Sequence, residues 1–173
     1  MLELIKRRFG RTATAEELLA KLIAHPAHTW IRNQPIMLRA IKLIYNSFDR
    51  PSRHFFTYTT LLILPATGKL SSAISSPSGG NVILVYPGLE QILSSGSWVN
   101  GVAILAHELG HIRLQHSGKG TDINRAQLEA DRFAFQCGFG EELLQTLFEY
   151  DGNQLIQARI RHLNHCLAAK NQV

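Results

Sequence analysis

Ala106-His107-Glu108-Leu109-Gly110-His111 is the stretch on which the reading of this chain turns. Val102, Ile104 and Leu105 before it and Leu109 within it mark a helix. At ~100° per residue the two histidines lie ~40° apart on one face, one turn from each other, so both reach a single tetrahedral metal. Glu108 points to the neighbouring flank, where a metal-bound water would sit. Two imidazoles and an adjacent carboxylate in this spacing are the parts of zinc-assisted hydrolysis: the ion makes water acidic and polarises a carbonyl, and the glutamate takes the proton. A five-residue pattern with two free positions also arises by chance, so the rest of the chain has to carry part of the weight.

Working outward, the chain is long enough for one domain with a sizeable core. Its 173 residues are 45% hydrophobic and 18% charged, which is ordinary for a soluble globular protein. The net charge of +5 admits anionic partners, but the basic residues are spread out. Only Lys6, Arg7, Arg8 and Arg11 cluster. With Leu2, Leu4, Ile5 and Phe9 they make residues 1–11 at most a weak peripheral anchor for an acidic membrane surface, and no specific nucleic-acid partner is expected. No apolar run approaches the ~18–20 residues that cross a bilayer, and no secretory signal is visible. Cys137 and Cys166 read as two reduced thiols, which suits a cytoplasmic setting.

Thr14-Ala15-Glu16-Glu17 is a capping-box pattern, and Leu18, Leu19, Leu22 and Ile23 follow at helical spacing until Pro26. A second helix begins near Pro35 and ends before an Asp49-Arg50-Pro51-Ser52 turn. His25, His28 and Trp30 between them read as packing or surface residues. Residues 54–64 are aromatic and β-branched and predict a strand. Residues 71–80 predict a loop or irregular edge strand, and residues 81–86 a second strong strand stopped by Pro87-Gly88.

A short helix over residues 89–93 leads to the motif helix, capped near Ser97 and running to about His116. Gly118, Gly120 and Thr121 make a loop, Asp122 caps the next helix and Gly138 ends it. Two more helices cover residues 141–150 and 155–167, separated by Asp151-Gly152. The expected fold is α+β: one domain over residues 1–173, with a helical part at 1–50, a small sheet and central motif helix at 54–116, and C-terminal helices at 122–169.

In this order, residues 72–163 resemble the HtpX-like zinc metallopeptidases, gluzincins related to the CAAX prenyl endopeptidase and the Oma-type proteases. Ala73-Ile74-Ser75-Ser76-Pro77-Ser78-Gly79-Gly80, then Val82-Ile83-Leu84-Val85 and Gly88-Leu89, is similar to that family's substrate-side edge strand, glycine turn and lead-in helix. The motif helix through His116 resembles its metal helix, including a further histidine beyond the second ligand. Glu129-Ala130-Asp131-Arg132 resembles the family's Glu-Ala-Asp stretch, Gly138-Phe139 is similar to the turn after it, and Arg159-Ile160 with Leu163 is similar to its C-terminal signature. The resemblance implies a zincin-like fold, one Zn2+ ion, a polypeptide substrate, and Arg159 as a distal group that stabilises an oxyanion or pairs with a site carboxylate.

At one position the chain departs from the family pattern. The third ligand there is a glutamate four residues before the aspartate, and here that position is Gln127. Residues four apart share a helical face, so a carboxylate at 127 would meet the ion while Asp131 holds a ligating histidine from behind. Glu129 is the nearest carboxylate, but on a regular helix it lies ~200° around from Gln127. Three arrangements remain open: Gln127 as a weak neutral ligand, Glu129 or Asp131 brought in by a local rearrangement, or a site without metal and turnover.

The remaining candidates are weaker. His116 reads as structural, a cation opposing the helix dipole. His162 and His165 stand three apart on the last helix without a ligand-like frame. Ser94, Ser95 and Ser97 lack a nucleophile arrangement, and Cys137 has no histidine partner in sequence. The expected function is a zinc-dependent endopeptidase acting on unfolded or extended polypeptide, with Glu108 as base, and with a protease-fold binding or regulatory protein as the alternative. A phage- or stress-type regulator whose protease domain cleaves a repressor is a third reading, suggested by the 129–134 stretch.

Overall fold

Thr14 accepts a hydrogen bond from the Glu17 N–H at 3.2 Å while the Glu17 carboxylate takes the Thr14 N–H at 2.8 Å, and this reciprocal cap starts helix α1, Ala15–Ala24. The computed structural model describes residues 10–68, 70–75, 80–116, 121–150 and 152–170. Nearly all of the basic cluster at the N-terminus lies outside them; Arg11, its described member, pairs with Glu17 at 2.8 Å. The expected glycine loop at 118 and 120, and Asp151, also lie outside.

Pro26–His28 forms a 3-10 turn, followed by the short helix α2, Thr29–Arg32, then α3, Pro35–Ser47. Beyond α3 the structure departs from the sequence expectation. Asp49 is the N-cap of a further helix, α4, Arg50–Tyr58, so the expected turn at 49–52 is a helix start and the expected strand over 54–64 is confined to its end. The reason is tertiary. Phe56 is buried and stacks on Phe48 with ring centroids 5.0 Å apart, and that packing overrides the β preference of an aromatic, β-branched run. Thr57 and Thr59 also satisfy their hydroxyls on the carbonyls four residues back, as threonines in a helix do.

Among the described residues three strands make the sheet: β1, Leu61–Pro65; β2, Ser71–Ile74; and β3, Asn81–Val85. The order is β1-β3-β2, with β3 parallel to β1 and antiparallel to β2, so β3 inserts between its two predecessors. The outer edge of β1 is closed by side chains. His28 Nε2 accepts the Ile63 N–H at 2.9 Å, Trp30 Nε1 donates to the Ile63 carbonyl at 3.0 Å, and His28 Nδ1 meets Leu22 O at 2.6 Å. Unpaired strand groups invite association, and here two linker residues occupy them.

Among the described residues, four helices complete the α+β architecture after the short lead-in helix α5, Pro87–Leu93: α6, Trp98–Leu114; α7, Ile123–Gln136; α8, Gly140–Phe148; and α9, Gln154–Lys170. Ser97 stands at the N-cap position of α6 without a side-chain cap bond, whereas Asp122 caps α7 through the Asn124 and Arg125 N–H groups. Gly138, at φ +92°, ends α7 in a Schellman motif, with Phe139 N–H to Ala134 O and Gly138 N–H to Phe135 O. Among the described residues no helix is long and apolar enough to cross a membrane.

Helix α6 is the centre of the core. It is buried almost all round, with α5, α7, α8, α3 and β2 packed against it, as expected of a helix that is apolar on every face but one narrow strip. That strip holds His107, Glu108 and His111. The approach of α7 is close because Gly110 has no side chain: a Cβ there would meet Ala130 Cα and O and Phe133 Cβ at 3.1 Å. Gly110 against Ala130 thus sets the distance across which α6 and α7 face their polar side chains.

Candidate metal centre

The polar strip of α6 opens into a cleft of about 660 Å3. Leu70, Ser71, Ser72 and Ala73 form one wall, α6 the floor, and residues of α7, α8 and α9 the other side. His107 Nε2 and His111 Nε2 stand 3.1 Å apart, and the amide nitrogen of Gln127 lies 3.3 Å from His111 Nε2. Glu108 reaches the same cleft, its Oε1 accepting from Ser71 Oγ at 2.8 Å.

The protonation pattern of the two imidazoles is set by their partners. Asp131 Oδ1 lies 2.8 Å from His107 Nδ1, so that nitrogen carries the proton and Nε2 presents a lone pair. His111 Nδ1 lies 3.0 Å from His116 Nδ1, and His116 Nε2 lies 2.9 Å from Glu129 Oε2. A carboxylate only accepts, so His116 donates from Nε2; in its neutral form it then accepts at Nδ1, and His111 donates from Nδ1 and presents its own Nε2 lone pair. Two lone pairs therefore face each other across 3.1 Å, an arrangement that a proton or a metal cation relieves. A proton is disfavoured at His111: burial, then the neighbouring His107, His116 and Arg159, drive it down to about 3 against the opposing pull of Asp131.

Asp131 is wholly buried. Burial raises its carboxyl, but the bonds from His107 and Arg159 outweigh that and hold it below the usual range. Arg159 grips it twice, Nε to Oδ2 at 2.8 Å and Nη2 to Oδ1 at 2.7 Å. Of its two expected uses, the guanidinium thus takes the pairing with a site carboxylate, while its side chain still lines the cleft.

No family model, curated protein or solved structure matches the chain.

Most of the residues singled out by sequence converge. His107, Glu108, His111, Gln127 and Arg159 line one cleft, and Asp131 stands behind His107. Glu129 does not join them. One of its oxygens bonds Arg125 at 2.7 Å and the other His116, so the rearrangement that would turn it toward the imidazole pair is not seen, and α7 keeps its regular course. Among the described residues no three His, Cys, Asp or Glu side chains gather as a metal-binding group. The third donor next to the pair is the Gln127 amide, whose oxygen and nitrogen exchange places by a half-turn.

Other expectations resolve differently. His116 reaches back to His111 and pairs with Glu129, beyond any role as a dipole cap. His162 approaches Cys166 Sγ at 3.8 Å on its own helix and lies off the cleft lining, as does His165. Cys137 and Cys166 are free, and burial pushes the Cys137 thiol up to about 11, too high for a nucleophile. Ser71 has no motif to announce it; only its place on the strand beside α6 makes it the partner of Glu108.

Proposed function

We propose that this chain is a zinc-dependent endopeptidase of HtpX-like, zincin-like kind, acting on extended polypeptide. The observation that carries the reading is the pair of Nε2 lone pairs held 3.1 Å apart beside a cleft-facing Glu108. Two nitrogens bound to one tetrahedral zinc stand roughly 3.3 Å apart, so the pair needs only a small outward adjustment to fit. His107, His111 and the Gln127 oxygen would hold the ion, which when bound polarises a carbonyl and makes water acidic.

The chain's own residues do the rest. Glu108, oriented by Ser71, accepts the proton of the attacking water and delivers it to the leaving amine. Asp131, gripped by Arg159, keeps the proton of His107 on Nδ1 and the opposite nitrogen free. β2 supplies the substrate rail. The Tyr86 N–H bonds Leu70 O, so the alternation of an antiparallel pair turns the N–H and C=O of Ser71 and Ala73 outward, away from β3. With the β1 edge occupied by His28 and Trp30, β2 is the edge to which a peptide strand adds. The two free thiols suit a reducing cytoplasm, and residues 1–11 contribute at most weak attachment to a membrane surface.

One observation favours a second reading, a protease-fold binding protein without turnover: the third donor is neutral, and Glu129 is committed elsewhere. Peptide cleavage and zinc content of the wild type, Glu108→Gln and Gln127→Glu separate the two. Cleavage by the wild type that Glu108→Gln abolishes supports the peptidase. If only Gln127→Glu cuts, the natural chain is a binding protein, and if no form retains stoichiometric zinc the metal reading fails.

A further inference from the structure

Each imidazole of the pair is backed by its own arm. Behind His107 the arm is Asp131, fixed by Arg159. Behind His111 it is longer: His111 Nδ1 to His116 Nδ1 at 3.0 Å, His116 Nε2 to Glu129 Oε2 at 2.9 Å, and Glu129 Oε1 to Arg125 Nε at 2.7 Å. We infer that His116 and Glu129 are positioning residues, a two-member relay that fixes which nitrogen of His111 carries the proton and so keeps its Nε2 free for a metal.

Three features set this apart from incidental surface pairing. The His116 side chain is only 8% exposed although it lies beyond the helix end, because Gln115 adopts a left-handed conformation (φ 56°) that folds the chain back. The His116 N–H to His111 O bond, 3.0 Å, and the Gln115 N–H to Ile112 O bond, 3.2 Å, close that turn as a Schellman motif with glutamine where glycine is usual. A left-handed non-glycine residue is held only where its surroundings demand it. Moreover, with both rings neutral the carboxylate at the end of the relay, which cannot donate, sets the direction of every hydrogen bond in it. A neutral Gln127 makes this support more consequential, since the two nitrogens carry most of the binding. Glu129, two residues from Gln127, acts on His111 through His116 rather than on an ion.

The part of this inference that concerns metal affinity rests on the zinc reading; the part that concerns the His111 tautomer does not. The experiment keeps them apart. Ring-nitrogen NMR shifts of His111 are recorded on metal-free wild type, His116→Ala, His116→Gln and Glu129→Leu, and zinc affinity is measured on the same proteins by competition with a chromophoric chelator. The wild type is expected to show one His111 tautomer, protonated at Nδ1. His116→Ala and Glu129→Leu are expected to show mixed tautomers and a loss of zinc affinity on the order of 10–100-fold. His116→Gln, whose amide can accept from His111 and donate to Glu129, is expected to restore most of both. An unchanged His111 tautomer in His116→Ala overturns the inference. Should that variant not fold, Glu129→Leu, altered at a half-exposed position, decides it the same way. If the wild type takes no zinc, the metal reading fails and the tautomer comparison alone judges the relay.

Discussion

Asp131 Oδ1 sits 2.8 Å from His107 Nδ1 at a position with no solvent exposure, and it shares that oxygen with the Arg159 guanidinium at 2.7 Å. A buried carboxylate of this kind links helix α7 to both α6 and α9. Asp131→Asn would leave the guanidinium facing a neutral amide in a nearly dry site, and breaking such a pair costs about 3–5 kcal/mol. An unfolding free energy lowered by that amount in denaturant titration, with Arg159→Met adding little on top, is the expected result; additive losses would mean that the two residues are not one unit.

The same residue predicts an acid response. Its folded-state pKa lies below the unfolded value, so its contribution is complete above the ordinary aspartate range and is lost as pH falls through the lower folded value. Urea titrations from pH 6 downward should show wild-type stability falling at the acid end while Asp131→Asn, already without that contribution, changes less.

Gly110 tests the helix approach that builds the site. Alanine at this position would gain about 1 kcal/mol in helix propensity. It would also press 3.1 Å contacts onto Ala130 backbone atoms, which cannot rotate away. Overpacking of this kind costs about 1–3 kcal/mol, so Gly110→Ala should be net destabilising, and Gly110→Val strongly so. A thermal-unfolding midpoint higher than wild type for Gly110→Ala would show that α6 and α7 have room to part.

Most of the donor geometry is legible in the sequence because helical spacing alone puts His107, His111 and Glu108 on one strip and Gln127 and Asp131 on another. What spacing cannot express is which strips meet. The Arg159–Asp131 grip spans 28 residues and the Ser71–Glu108 bond 37, and both depend on how α9 and β2 pack against α6. The 54–58 stretch reads wrongly as strand for the same reason: local preference favours β, and the stack of Phe56 on Phe48 decides otherwise. The role of His116 is hidden because a left-handed glutamine leaves no mark in a sequence.

His28 shows the opposite case, a linker residue with a structural task. It is wholly buried, and both ring nitrogens are used, on Leu22 O and the Ile63 N–H. His28→Ala would strand the Ile63 N–H, leave Leu22 O with only the His25 N–H, and open a void, a loss of about 2–4 kcal/mol, and would expose the β1 edge to association. Burial, against the opposing Leu22 bond, holds the imidazole below its usual value, with His25 adding to the effect. The unfolded chain therefore binds a proton that the folded one refuses, and stability should decline as pH falls through the ordinary histidine range. Chemical unfolding from pH 8 to pH 5 should show this slope reduced in His28→Ala, together with faster aggregation; an unaltered slope would assign the decline to other groups.

Gln115 offers the last test, because the conformation that places His116 can be kept while its strain is removed. The left-handed φ of 56° costs a side-chain-bearing residue on the order of 1 kcal/mol, and glycine adopts it freely. Gln115 is exposed, so little packing is lost on substitution. Gln115→Gly should therefore raise stability by about 0.5–1 kcal/mol, roughly 1–4 °C in Tm for a chain of this size, while β-branched Gln115→Val should lower it. The His111 ring-nitrogen shifts should stay as in the wild type in the glycine variant, because the turn and its two backbone bonds persist. A glycine variant less stable than the wild type would mean that the glutamine side chain itself holds the turn.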